Sequence, residues 1–245
     1  MNKKTKNIIG VGILIGLVAL ITSSVIFNKV EYKQSAIDFK NEYEKVNGLT
    51  MKGDIKYRTL NIDKKNPYVK VSIDEIAKKI ENEESFYLYV GDHLCPWCRS
   101  GLEKMIEVAN REKIETIYYV DFWDDEHNEI LRDLYDVKIS GKKVEIIQTK
   151  EATEGYKKLY EAVKDYIQDY VITKDGKDYN VGVKKVYGGD HFYFNKGKCE
   201  RYVTLRVPSL EKATDELTES ILKEQDETYT KLFVNPNVCS NNSNC

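Results

Sequence analysis

The sequence predicts an α/β domain, a central mixed sheet flanked by helices, behind a single N-terminal transmembrane helix. Three patterns carry that expectation. An uncharged run of twenty residues, from Ile8 to Phe27, follows three lysines. Two short apolar runs, residues 86–90 and 116–120, are separated by an amphipathic helical stripe, and the first follows another. A strand–turn–strand pattern and a final helical stripe then close the domain near Phe233.

The uncharged run is an anchor by its length, because twenty helical residues span about 30 Å, the thickness of a bilayer's hydrocarbon core. Lys3, Lys4 and Lys6 precede it, which puts the N-terminus in the cytoplasm and the remaining chain outside. The alternative is a cleaved signal peptide. Such peptides have shorter apolar regions and a small-x-small cleavage site, whereas Ser23 and Ser24 are followed by Val25, Ile26 and Phe27. The first cysteine is Cys95, so no lipid-acceptor thiol follows the run. Gly12 and Gly16 offer a helix-dimer face. With 38 basic against 40 acidic residues, the composition argues against a nucleic-acid partner.

These features divide the chain into an anchor at 1–28, a linker and N-terminal extension at 29–68, a domain at 69–233 and a tail at 234–245. Within the extension, Ser35 caps a short helix carrying Phe39, Tyr43 and Val46, and residues 57–62 read as a strand. Ser72 and Glu75 form a capping-box pattern that opens a helix with Ile73, Ile76, Ala77 and Ile80 inward. The run 86–90 then reads as a strand buried on both faces. A helix from about Cys95 to Arg111 buries Leu102, Met105, Ile106 and Ala109, and 116–120 is the next strand. Strands joined through a helix in this way pair in parallel. The stretch at about 122–185 reads as a helical and hairpin insertion. Residues 123–135 are expected to be helical, 144–147 a strand, and Tyr156, Leu159, Tyr160, Val163, Ile167 and Tyr170 one helical stripe. Residues 192–194 and 200–205 make a hairpin across Asn195-Lys196-Gly197-Lys198. Thr218 caps the last helix, which carries Ile221, Leu222, Gln225, Tyr229 and Leu232.

The cysteines carry the chemistry. Cys95-Pro96-Trp97-Cys98 lies where a buried strand meets an amphipathic helix. There the unsatisfied N–H groups of the helix start stabilise a thiolate on the first sulfur. The second sulfur, one turn on, can resolve the mixed disulfide that the first one forms. A static disulfide is one alternative. A zinc site with His93 and either Asp92 or His191 is another, although a structural zinc wants four ligands. Asp92, His93 and Trp97 are neighbours able to act on the thiols or touch a partner. Cys239 and Cys245 fit a structural disulfide clip in an oxidising compartment, or a second redox relay. Cys199 reads as a buried free thiol.

With Cys95-Pro96-Trp97-Cys98 after the strand, residues 86–120 resemble the first half of a thioredoxin-like fold, and the hairpin with its last helix resembles the second half. More narrowly, the chain is similar to membrane-attached bacterial thioredoxin-like proteins, including bacteriocin-transport accessory proteins. That resemblance implies a nucleophilic Cys95 and a resolving Cys98, acting on thiols and disulfides of exported proteins with an unidentified redox partner and without a cofactor or metal. The alternative function is a non-catalytic adaptor or accessory of a peptide or bacteriocin exporter. Two departures from the family pattern bear on that choice. Tyr89 stands where many members have a buried acid, and Gly189 where they have a cis-proline, Pro208 coming too late to fill that place. A cis bond before a non-proline residue costs about 2.5–4 kcal/mol. The Gly188–Gly189 bond is therefore expected to be trans, in a loop with a free N–H that still approaches the two sulfurs.

Overall fold

The computed structural model describes residues 33–51, 54–124 and 128–234. The run from Ile8 to Phe27, His127, and the tail with Cys239 and Cys245 lie outside them. Among the described residues no helix is long and apolar enough to cross a membrane.

The described chain opens with helix Gln34–Glu44 (α1) and a short antiparallel pair, Thr50–Met51 (β1) and Ile55–Lys56 (β2). Strand Tyr68–Lys70 (β3) leads into helix Ile73–Glu81 (α2). The capping box at the start of α2 is complete: the Glu75 N–H donates to Ser72 Oγ, and the Ser72 N–H donates to the Glu75 carboxylate at 2.8 Å. Strand Phe86–Gly91 (β4), helix Pro96–Arg111 (α3) and strand Ile117–Asp121 (β5) follow. Next come hairpin strands Leu134–Ser140 (β6) and Lys143–Lys150 (β7), helix Glu154–Val163 (α4), and hairpin strands Gln168–Lys174 (β8) and Lys177–Lys185 (β9). Strands Asp190–Asn195 (β10) and Lys198–Thr204 (β11) precede the last described helix, Glu219–Phe233 (α5). The β10–β11 turn has Lys196 and Gly197 both at positive φ, the backbone that a tight two-residue hairpin requires.

The central sheet is mixed, in the order β11-β10-β4-β5-β3. β3, β4 and β5 run parallel, while β10 pairs antiparallel with both β4 and β11. The period-two alternation of β4 splits the core in two. Phe86, Leu88 and Val90 pack with Ile76 of α2 and Leu159 of α4 on one face. Tyr87 and Tyr89 face the other way, towards Phe39 and Tyr43 of α1, Leu102 and Met105 of α3, and Tyr229 of α5.

Three expectations are corrected. The acidic stretch 123–135 is not helical where described: Trp123 bridges to Glu129, and β6 begins at Leu134. The stripe ending at Tyr170 is helical only to Val163. Tyr166 turns back on the Val163 carbonyl, and Tyr170 lies in β8, held by its ladder to β9. Ile167 stays buried past the helix end, so a core-facing side chain extended the helical pattern without the helix. Residues 57–62 form no ladder strand, although Leu60 and Ile62 are buried as their alternation suggests. The extension is also more than a linker, since Phe39, Tyr43, Leu60 and Ile62 belong to the core.

Arg99, only 1% exposed, joins that extension to α3. Its guanidinium donates to the carbonyls of Arg58 (2.6 and 3.0 Å), Tyr43 (2.7 Å) and His93 (3.2 Å), and to Asn47 Oδ1 (2.7 Å). Truncating it orphans several buried acceptors at once. Arg99→Ala is expected to lower unfolding stability by about 3 kcal/mol, as lost charge-assisted hydrogen bonds do. Urea denaturation would show it, and limited proteolysis would show residues 34–62 cut first. An unchanged midpoint would mean that the extension holds without this anchor.

Candidate active site

The chain leaves β4 at Gly91 and turns through Asp92, His93 and Leu94 into α3. The turn is closed by Asp92, whose carbonyl accepts the Cys95 N–H at 3.2 Å and whose carboxylate accepts the Leu94 N–H at 3.0 Å. Cys95 is the N-cap: its backbone is extended, and its Sγ accepts the Cys98 N–H at 3.3 Å. A sulfur thus takes the part that an N-cap oxygen usually plays. Pro96 fills the first helical position, where its missing N–H costs nothing. Cys98, one turn in, is fully buried, and Cys95 is half-buried; both are free thiols.

The two sulfurs are electrostatically unlike. The hydrogen bond from the Cys98 thiol, assisted by the N–H groups of Cys98 and Trp97, holds Cys95 below the ordinary thiol value against its own desolvation and nearby Asp92. Burial pushes Cys98 well up, and the adjacent Cys95 adds to the effect. Of the two thiols, Cys95 is therefore the first to ionise.

The loop before β10 meets the pair. A Cβ on Gly188 would lie 3.2 Å from Cys98 Sγ and 3.4 Å from Cys95 Sγ, so the bare backbone approaches both sulfurs. The Gly188–Gly189 bond is trans. Gly189 has φ of +107°, which glycine adopts without strain. The expectation of a free N–H is corrected for Gly189: it donates to the Val90 carbonyl at 2.9 Å, while the Gly189 carbonyl accepts the Leu205 N–H at 3.0 Å. These two bonds pin the loop between β4 and the end of β11. Trp97 is half-buried beside the thiols, with the Arg206 guanidinium 4.6 Å from its ring centre.

Beneath the sulfurs lies an aromatic layer that the sequence did not reveal as part of the site. The Tyr89 ring stacks on His191 (4.3 Å) and on Tyr119 (5.3 Å), and its hydroxyl is 2.9 Å from that of Tyr43. His191 uses both ring nitrogens, Nε2 with the Tyr68 hydroxyl (2.9 Å) and Nδ1 with the Gly189 carbonyl (3.1 Å). It is therefore not placed as a zinc ligand. His93 Nδ1 lies 3.3 Å from Asp92 and 3.9 Å from Glu42. Among the described residues, the cluster able to hold a metal is Glu42, His93 and Asp121, without either sulfur, and Lys70 already bridges its two carboxylates. Cys199 is half-buried and donates weakly to the Arg201 carbonyl, with its thiol pushed up to about 12 by burial. The one available signal for the aromatic layer was the density of tyrosine at alternating strand positions.

No protein-family model matches the chain, and no curated protein matches it either.

Two neighbours on β10 face opposite ways and titrate with opposite sign. Burial raises the Asp190 carboxyl to about 7, despite hydrogen bonds from the Tyr187 N–H and the Tyr202 hydroxyl. Burial also lowers His191 to about 3. The neutral Asp190 stabilises the fold fully below its unfolded value near 3.8 and loses that contribution as pH rises to about 7. The neutral His191 contributes fully above 6.5 and loses its contribution as pH falls towards 3. Across the shared window the two slopes oppose each other. Asp190→Asn removes one of them, so stability relative to wild type should climb by up to about 1.4 kcal/mol per pH unit between pH 4 and 6. Urea midpoints at pH 4, 5 and 6 measure it. Parallel profiles for the two proteins would mean that folded Asp190 is already ionised.

Proposed function

We propose that this chain is a membrane-anchored, extracytoplasmic thiol–disulfide oxidoreductase of thioredoxin-like fold, acting on exported proteins. One observation carries the reading: Cys95 caps α3 after the short turn that follows a central strand, Cys98 is buried a turn deeper, and the Gly188 backbone approaches both sulfurs so closely that a Cβ there would fall 3.2 and 3.4 Å from them. The sheet order, three parallel strands flanked by an antiparallel hairpin, supports the fold assignment. In the reductive direction the Cys95 thiolate attacks a substrate disulfide, forming a mixed disulfide and releasing one substrate thiol. Cys98 then attacks the Cys95 sulfur. The Cys95–Cys98 disulfide forms, and the second substrate thiol leaves with the proton. Two electrons pass from the cysteine pair to the substrate, with no cofactor in the exchange. The reverse sequence oxidises a substrate dithiol.

A second reading is a non-catalytic adaptor of a peptide exporter. Tyr89 in place of an acid and the trans Gly188–Gly189 bond favour it. The two readings differ in what a resolving-site variant does. Under the first, Cys98→Ser accumulates mixed disulfides with exported proteins, seen as dithiothreitol-sensitive bands on non-reducing gels, and Cys95→Ser does not. Equal trapping by both variants, or by neither, would support the adaptor.

The location is tested separately. The lysines before Ile8 and the uncharged run to Phe27 support an N-in, C-out anchor. Protease added to intact, wall-stripped cells should degrade the domain. Protection until lysis would place it inside.

A further inference from the structure

Outside the thiol site, a pocket of about 80 Å³ lies between α4 and strands β6, β8 and β9, several times the room that one water needs. Its walls are Tyr135, Tyr156, Tyr160 and Tyr170, with Arg132 and Lys185 among them. The Tyr135 and Tyr170 rings meet edge to face at 5.5 Å, and those of Tyr156 and Tyr160 lie 6.4 Å apart. Four tyrosines could cage a cation, but this pocket already holds its own. The Lys185 ammonium stands 4.0 Å from the Tyr170 ring centre and 5.1 Å from that of Tyr187. Arg132 adds a second positive charge, and its Nε–H is buried without a hydrogen-bond partner among the described residues. The nearby carboxylates are committed. Glu129 pairs with Arg132, and Asp133 accepts from the Gln148 side chain at 2.7 Å and the Ala152 N–H at 2.9 Å. Among the described residues no carboxylate forms an ion pair with Lys185. Burial, with Arg132 close by, lowers its ammonium to about 8, against the pull of Glu129. Two phenols present the same need. The Tyr156 hydroxyl accepts the Val186 N–H and the Tyr160 hydroxyl the Lys184 N–H, each at 3.4 Å, and each still has its own proton to donate.

We propose that this pocket binds a carboxylate, with Lys185 as its counter-ion and the Tyr156 and Tyr160 hydroxyls as hydrogen-bond donors. The tyrosine rings pack against the carbon chain that carries it. Arg132, Lys184 and Lys185 against Glu129 and Asp133 leave a single positive charge, which matches a monocarboxylate and not a phosphate dianion. The pocket shares a stretch of backbone with the thiol site. Arg132 donates to the Val186 carbonyl at 2.8 Å, Tyr156 takes the Val186 N–H, and Gly188 is two residues further on. Two sources supply such a group: an acidic side chain of a protein docked beside that loop, or a free small carboxylic acid.

The test uses the full-length protein in detergent. The probes are propionate, propionamide as its uncharged counterpart, phosphate as a competing anion, and a short capped peptide carrying one glutamate. Trace reductive methylation with formaldehyde, mapped by mass spectrometry, reads how much free amine each lysine presents, with exposed Lys223 as the internal control. With propionate tenfold above its dissociation constant, labelling of Lys185 should fall roughly tenfold, while Lys223 is unchanged and propionamide has no effect. The labelling midpoint of Lys185 should also move up from about 8. Lys185→Met keeps an unbranched chain beside Tyr170 and removes the charge. Propionate should raise the melting temperature of wild type and of Lys185→Arg, and leave that of Lys185→Met where it was. Protection by the peptide at lower concentration than propionate assigns the pocket to a docked protein, and protection by propionate alone assigns it to a free acid. No protection by either up to about 100 mM, far above a millimolar dissociation constant, would overturn the site. Equal protection by phosphate or by propionamide would overturn it too.

Discussion

A guanidinium buried among neutral acceptors holds this domain in register. Arg99 directly follows Cys98, and its donors reach the carbonyls of Tyr43, Arg58 and His93 and the side-chain amide oxygen of Asn47. Each of these acceptors is uncharged. A buried charge is tolerated only when hydrogen bonds replace its water, and here the acceptors come from three separate stretches of chain. The N-terminal extension, the turn into α3 and the cysteine helix are therefore tied at one point. The Tyr43 hydroxyl meets that of Tyr89 at 2.9 Å because α1 is held there.

The sheet separates two kinds of interior. On one face Phe86, Leu88, Val90, Phe192 and Phe194 pack against α2 and α4 as an apolar layer. On the other, Tyr68, Tyr89, Tyr119 and His191 lie beneath α1 and α3, linked by stacking and hydroxyl contacts. Strand alternation produces the division, since successive side chains leave opposite faces. It gives the thiols a layer that is dry but not apolar, in which phenols can donate hydrogen bonds without carrying charge. The opposite shifts of Asp190 and His191 both come from burial, which disfavours the charged form of each, a carboxylate in one and an imidazolium in the other.

The thiol pair gains its asymmetry from its two depths along one helical turn. Cys95 stands half-buried at the start of α3 and meets N–H groups; Cys98 lies inside, in a core rich in aromatic rings. Glycine in the adjoining loop permits the close approach of backbone to sulfur. The bonds of Gly189, the residue after Gly188, to Val90 and Leu205 hold that loop in place.

Local patterns were enough to read several elements. The Ser72–Glu75 box, the strand at 86–90, the helix after Cys95, the glycine turn at 195–198 and the Thr218 cap each depend on neighbours within a few residues, and each stands as expected. The candidate thiols were legible for the same reason, a motif at the junction of two readable elements, whereas the approach of Gly188 was expected only from the resemblance to the thioredoxin-like fold. What could not be read was non-local. Whether residues 166–185 continue a helix or turn into paired strands depends on ladder partners, not on a stripe that either structure can bury. Tyr43 and Tyr89 are 46 positions apart, and nothing in their spacing says that their hydroxyls meet. Nothing in the sequence sets Arg99 apart from other charged helix residues; packing brings α1 and the Arg58 carbonyl to it. Short-range hydrogen bonding writes itself into sequence, whereas contacts across the core depend on how the elements dock.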